Sequence, residues 1–318
     1  MRHLKSNYKE DTKLRIHWFA LTFFGDRQEF EKFYKTFLED TFGKYVEKGH
    51  GGRGYKSIAN AGVGVRLYFD PISIGKKGNH IHIEIPGEAC DCLLPDHFHN
   101  MMKHLVYERI KEDQLQINMM KITRLDFAFD HDYFTPDQWY EAIQGQDIVT
   151  LAKRDSIRID QSPYALRDDG QIGTTTVYLG SNESGRMLRV YNKRGPTRLE
   201  LQMRDDRAFF VSFDVLLRSP SVWHEAGLAH VIQYVNFREG LEPDWWLEFT
   251  KSIQSSDLVI SSSRVASLKK MDKWLKKQVA VALSVVHDVE GDDYIKDLIE
   301  EARKRDRSRY DSILQLKE

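Results

Sequence analysis

Residues 174–204, TTTVYLGSNESGRMLRVYNKRGPTRLELQMR, hold three short runs of alternating side-chain type, separated by glycine turns. Thr174 to Leu179, Arg186 to Lys193 and Arg198 to Arg204 each read as a strand, with turns at Gly180–Gly185 and Gly195–Pro196. Side chains alternate between the two faces of a strand. In the second run, Leu188 and Val190 therefore share one face, and Arg189, Tyr191 and Lys193 share the other. In the third, Leu199, Leu201 and Met203 oppose Arg198, Glu200, Gln202 and Arg204. Such a pattern demands an antiparallel sheet with one face covered and one face polar. A tyrosine between two cations, beside a strand carrying a carboxylate, is suited to an activated phenol handling an anion.

Two earlier segments share the alternation. In HIHIEI, His80, His82 and Glu84 oppose Ile81, Ile83 and Ile85; in ITRLDFAFD, Arg124, Asp126 and Asp130 oppose Leu125, Phe127 and Phe129. A solvated sheet surface is the plainer reading of any one strand. Four strands that place Asp, Glu and His on a common face fit a hard divalent cation instead. Asp130 is expected to cap its strand or pair with Arg124.

The rest of the chain splits by texture. Residues 16–24 read as a strand, and Arg27 to Phe42 as an amphipathic helix with Phe30, Phe33, Phe37 and Phe42 near helical spacing. After a glycine-rich turn at 49–54, strand-like segments run to Phe69. Helices are expected over Asp96–Ile110 and Thr135–Gln144, the second opened by a Thr-Pro signal. Beyond about Ala208 the pattern turns helical, most clearly over 265–286, and Tyr294 to Glu318 reads as a charged helix. The expected class is α+β: an antiparallel sheet with helices on one face, then a helical C-terminal part. The expected divisions are an extension over 1–15, a main domain over 16–210 and a helical region over 211–318.

Composition sets limits rather than a function. There is no run of about 18 apolar residues to span a membrane. The charged start, MRHLKSNYKEDTKLR, lacks the apolar core of a secretory signal, and the two cysteines, Cys90 and Cys92, make neither a disulfide framework nor a zinc site; a cytoplasmic protein is expected. A net charge of −1 is unusual for a nucleic-acid binder, but Arg186, Arg189, Lys193, Arg194 and Arg198 fall in a stretch without acids. A second basic cluster, Arg264 to Lys277, reads as a solvated helix face. Tyr178 is read as packing or phosphate-contacting, and Trp245–Trp246 as core.

RLDFAFD, then TTTVYLGSNESGRMLRVYNK, then TRLELQMR resemble, in order and spacing, the signatures of the Rep_trans family of rolling-circle replication initiators. That family includes plasmid initiators, relaxases of mobile elements and filamentous-phage replication proteins. GNHIHIEIPGEAC also resembles a segment of the phage-type members, and the likeness spans roughly Trp18 to Arg204.

The resemblance implies an origin-specific nicking and joining enzyme whose nicking domain is residues 16–210. Tyr191 matches the nucleophile, which would leave a 5′-phosphotyrosine and a free 3′-OH. Arg189 and Lys193 would favour the phenolate and stabilise the transition state. Mg2+ or Mn2+ would orient the phosphate. Asp126 matches the family's strand carboxylate, and Glu84 and Glu200 align with it by face and motif. His82 has the His-hydrophobe-His form of other nickases, so the ligand on that strand is His82 or Glu84. Arg124, Arg186, Arg194 and Arg198 are candidate DNA contacts, with Arg124 and Arg198 positioning phosphate or carboxylate. The implied partners are origin DNA, double- and single-stranded, together with a host helicase and DNA polymerase, because no GxxxxGK[ST] phosphate loop is present. A homodimer is left open. The competing readings are a non-catalytic origin-binding protein and a metal-dependent phosphodiesterase that forms no covalent intermediate.

Overall fold

The computed structural model describes residues 14–74, 78–110, 120–166, 172–192, 196–251 and 280–304. The chain divides into two compact units, Met1–Leu258 and Val259–Glu318. The first extends well past residue 210, so helices expected in the C-terminal region belong to the same unit as the sheet.

Among the described residues, ten strands form one antiparallel sheet. In chain order they are β1 (Leu14–Phe24), β2 (Val46–Lys48), β3 (Tyr55–Asn60), β4 (Arg66–Pro71), β5 (His80–Ile85), β6 (Met120–His131), β8 (Ile157–Leu166), β9 (Ile172–Gly180), β10 (Arg186–Asn192) and β11 (Thr197–Arg204). They lie side by side as β2-β3-β4-β5-β1-β6-β11-β10-β9-β8. The short strands β7 (Ile148–Thr150) and β12 (Val235–Phe237) pair separately. The three runs read over 174–204 are β9, β10 and β11, neighbours in the sheet.

Strand β8 escaped the sequence reading. Its Pro163 removes a ladder donor, which argues against a central strand. The strand is an edge of the sheet, where that loss is tolerated.

The apolar face carries the helices. They are α1 (Arg27–Phe37), α2 (Glu39–Phe42), α3 (Gly87–Cys90), α4 (Pro95–Ile110), α5 (Pro136–Gln144), α6 (Asp205–Leu216), α7 (Trp223–Tyr234) and α8 (Asp244–Thr250), while α9 (Ala280–Arg303) lies in the second unit. Phe30 of α1 meets Phe23 and Phe69, Phe98 of α4 meets Phe19, and Phe249 of α8 meets Phe129. Helix α7 lies so close to the sheet that a Cβ on Gly227 would stand 2.1 Å from Leu14. The helix expected over 27–42 is broken at Leu38, which is fully buried and leaves helical geometry. A capping box between Asp26 and Glu29 starts α1, and Thr135 with Gln138 does the same for α5.

Gly180 ends β9 with φ +97°, and an added Cβ would meet Tyr234 Oη at 2.3 Å and the Arg186 carbonyl at 2.6 Å. Tyr234 of α7 donates to the Leu179 carbonyl at 3.0 Å. A helix on the covered face thus pins the hairpin that presents Tyr191.

His131, at the end of β6, packs between Phe134 and Phe249, with ring centroids 4.0 and 4.8 Å away. Burial pushes it down from 6.5 to about 4. The folded protein therefore binds fewer protons than the unfolded chain in that window. The stability this group contributes is fully present above pH 6.5 and is lost as the pH drops towards 4, by at most about 3 kcal/mol. His131→Asn is expected to flatten this limb in urea titrations at stepped pH; an unchanged acid slope would show that another group controls it.

The expected helix over 265–286 and the basic cluster Arg264–Lys277 lie mostly or wholly outside the described residues. Part of the charged tail helix is seen as α9, which breaks at Gly291 (φ +82°). No helix among the described residues is long and apolar enough to cross a membrane.

Candidate active site on the polar face

Register sets the polar face out in rows across the strands. One row runs Arg158 (β8), Tyr178 (β9), Arg189 (β10) and Glu200 (β11). The next runs Asp160, Thr176, Tyr191, Arg198 and Asp130. On the other side Met187 is opposite Gln202, Gln202 opposite Asp126, and Asp126 opposite Trp18.

This face is not an open polar surface. Strand β11 is buried on both sides: Arg198 is 1% exposed and Glu200 0%, and Asp126 beside them on β6 is also 0% exposed. Charged side chains cover one another. Tyr191 Oη donates to Glu200 Oε2 at 2.8 Å, while Arg189 donates to Glu200 Oε1 and reaches to within 3.9 Å of Asp126 Oδ2. Arg124 grips Asp126 through Nε at 2.9 and 3.1 Å and lies 4.1 Å over the Trp18 ring. Arg198 Nε donates to Asp130 at 2.5 Å, and Arg15 reaches the same carboxylate at 3.0 Å. Asp130 therefore holds Arg198 and Arg15; the expected pairing with Arg124 is replaced by Arg124–Asp126.

Burial drives the phenol of Tyr191 well above its ordinary range, the Glu200 charge adds to the rise, and Arg198 and Arg189 pull against it. Burial also raises Asp126, against the pull of Arg124. Glu200 behaves oppositely: burial opposes ionisation, but Arg189, His17 and the Tyr191 hydroxyl together hold it below the usual carboxylate value. The result is a neutral phenol hydrogen-bonded to an ionised carboxylate.

The four expected metal donors do not converge. Glu84 and His82 lie on β5, separated from β6 by β1 with Ala20 opposite both Glu84 and Arg124. Two inter-strand steps are about 10 Å. Glu84 is held by Arg53 and by the Tyr68 hydroxyl at 3.0 Å, and His82 Nδ1 is 3.0 Å from Thr22 Oγ1. Among the described residues no three His, Cys, Asp or Glu side chains are grouped to hold a metal ion. Each carboxylate is occupied by a guanidinium, so the residues as arranged do not fit a bound divalent cation.

Of the expected DNA contacts, Arg124 lines a cleft of about 730 Å³ on this face, together with Arg189, which was expected to act on the Tyr191 phenol. Arg198 is not in that lining: it is 1% exposed, opposite Tyr191 and bound to Asp130. Arg186 goes to the other face: it is 8% exposed and its guanidinium lies 4.8 Å over the Tyr234 ring. The alternation that places Leu188 and Val190 against the helices carries Arg186 with them. Lys193 and Arg194 lie outside the described residues. Cys90 is buried and donates to the Ile85 carbonyl; Trp246 is in the core, as expected.

Several contributors had no motif to mark them. His17 is the extra residue of a β-bulge in β1, where the register shifts between Ile16 and Trp18. Its ring packs at the position a Cβ of Gly87 would occupy, and its charge acts on Glu200. Arg53 comes from the glycine-rich turn with φ +54°. Only the apolar-to-polar break at 16–18 hinted at the bulge.

A rolling circle replication initiator protein from Geobacillus stearothermophilus superposes with a TM-score of 0.57 at 22% identity, covering 76% of this chain and 96% of that one. At that identity the likeness establishes the fold. Methanococcus jannaschii TBP aligns at a TM-score of 0.22 and 10% identity, over 64% of this chain and 95% of that one, and carries no argument. No curated protein matches the sequence. The sequence matches the family described as replication initiation factor, Rep_trans, over residues 120–299, a span that holds β6 and the whole Tyr191 hairpin. The chain belongs to the Rep_trans family of replication initiation factors.

Proposed function

We propose that this protein initiates rolling-circle replication by nicking and rejoining one strand of origin DNA, with Tyr191 as nucleophile. The observation that carries this reading is the hydrogen bond from Tyr191 Oη to Glu200 Oε2 at 2.8 Å, with Arg189 on the same carboxylate. As Oη attacks the phosphorus, its proton passes to Glu200. The P–O3′ bond breaks, its electron pair stays on O3′, and a proton from solvent completes the 3′-OH. The 5′-phosphate remains esterified to Tyr191, which keeps the bond energy for rejoining. Arg189 faces the cleft and stabilises charge on the non-bridging oxygens, while the charge of Arg198, opposite Tyr191, favours loss of the phenol proton. Host DNA polymerase and helicase would extend and open the nicked strand. Magnesium or manganese is the family expectation, but the arginine-bound carboxylates do not offer a free donor set, and no step here runs through a metal.

The test is a denaturing gel of protein incubated with supercoiled DNA that carries its own neighbouring genomic region, with Mg2+, Mn2+ or a chelator. A protease-sensitive adduct is expected from the unaltered protein and none from Tyr191→Phe. Nicking without an adduct would replace this mechanism with hydrolysis. Binding without nicking would leave only origin recognition.

A further inference from the structure

We infer that the cleft beside Tyr191 is a binding site for unpaired DNA, in which Tyr178 and Arg158 form a stacking platform for the base next to the scissile phosphate. The inference rests on the nicking reading for its register but not for its chemistry.

Basic side chains outnumber acidic ones in the lining of the cleft. Arg124, Lys153, Arg158, Arg189 and Arg204 line it, against the acids Asp155 and Glu183. Two of these guanidiniums carry unmatched donors: the Nε atoms of Arg189 and Arg204 are buried without a hydrogen-bond partner. Burial and the neighbouring Arg124 charge also hold Arg204 below its ordinary value. Crowded cations with unfilled donors are a site for phosphate oxygens.

Phosphate binding alone would serve a duplex equally well. The far wall of the cleft separates the two. The Arg158 guanidinium lies over the Tyr178 ring, with Cζ 4.1 Å from its centroid, on the polar face. Its other tie is an ion pair to Asp160 at 3.0 Å, in which both side chains are more than half exposed and which is therefore weak. An aromatic ring and a guanidinium plane at the edge of a basic cleft are the elements on which unpaired bases stack. Paired bases present only their edges, in the grooves. Tyr178 is directly opposite Arg189, and Tyr191 is two residues further along the neighbouring strand. That diagonal is about 7–8 Å. A phosphate at Tyr191 would thus put an adjacent base over Tyr178.

The experiment measures fluorescence anisotropy of the full chain with a labelled oligothymidylate, with an abasic sugar-phosphate oligomer of the same length, and with a blunt duplex. The unaltered protein is expected to prefer the thymidylate to the abasic oligomer by about tenfold, a modest stacking contribution. Tyr178→Ala should erase that preference while keeping its affinity for the abasic oligomer and the duplex, which also shows that it is folded. Tyr178→Phe should retain the preference. Equal binding of thymidylate and abasic oligomer by the unaltered protein, or a preference that survives in Tyr178→Ala, overturns the inference. The Tyr191 adduct assay on the same preparations separates the two readings. An adduct without a base preference removes the platform and keeps the nuclease; a base preference without an adduct does the reverse.

Discussion

Glu200→Gln is expected to slow adduct formation by about 10²–10⁴-fold, the usual contribution of a positioned general base, while DNA affinity changes little. The amide keeps the shape of the side chain but cannot take the Tyr191 proton. The pH dependence gives a sharper reading. Burial opposes ionisation of Glu200, yet Arg189, His17 and Tyr191 keep it below its ordinary value of 4.5, so it is already a carboxylate throughout the neutral range. The unaltered protein should therefore nick at a rate nearly flat from pH 6 upwards, since the base is fully ionised there. In the Gln variant the phenol must ionise by itself. Burial, the largest cause of its rise, remains in the variant, so the phenolate is the minor form and the rate should climb with pH, about tenfold per unit. Single-turnover rates on a plasmid substrate measure both. A Gln variant with unaltered rate and a flat profile would remove Glu200 from the proton transfer.

Asp130→Ala is expected to be the most destabilising single change on this face, at about 3–5 kcal/mol, because it strands a buried guanidinium. Arg198 is 1% exposed and directs Nε and a terminal nitrogen to Asp130. Arg15 would retain Asp91 at 2.5 Å, so the loss falls mainly on Arg198. Pairing Asp130→Leu with Arg198→Met removes both charges, and this double variant should be more stable than Asp130→Ala alone. Urea midpoints at constant slope decide it. A loss under about 1 kcal/mol for Asp130→Ala would mean that water or another acid compensates Arg198.

The contrast between Arg189 and Arg186 shows how far a period of two can be trusted. Both belong to the basic hairpin; Arg189 was expected beside Tyr191, and Arg186 was expected to contact DNA because of its charge. Strict alternation from Leu188 puts Arg186 on the covered face, where it lies over Tyr234. The information was in the sequence; the charge count overrode it. The metal donors fail for a different reason. His82, Glu84, Asp126 and Glu200 share a face as their alternation requires, but sharing a face of a ten-stranded sheet does not bring residues together. Strand order decides that, and β1 lies between the two groups. Tyr178 was one residue in a strand with two readings until its partners across both neighbouring strands were known.

What the sequence determined by itself is the local alternation: strands with one apolar face, the helices that must cover it, the hairpin carrying Arg189, Tyr191 and Glu200, and the family those motifs mark. Backbone geometry imposes such alternation on each strand separately, so it survives in a linear reading. Only the tertiary structure decided which carboxylate meets which arginine. Arg124 took Asp126, Asp130 took Arg198 and Arg15, and the bulge at His17 put a further charge beside Glu200. Those pairings depend on strand order and on a one-residue register shift. Both arise from contacts between segments far apart in the chain, which no local pattern encodes.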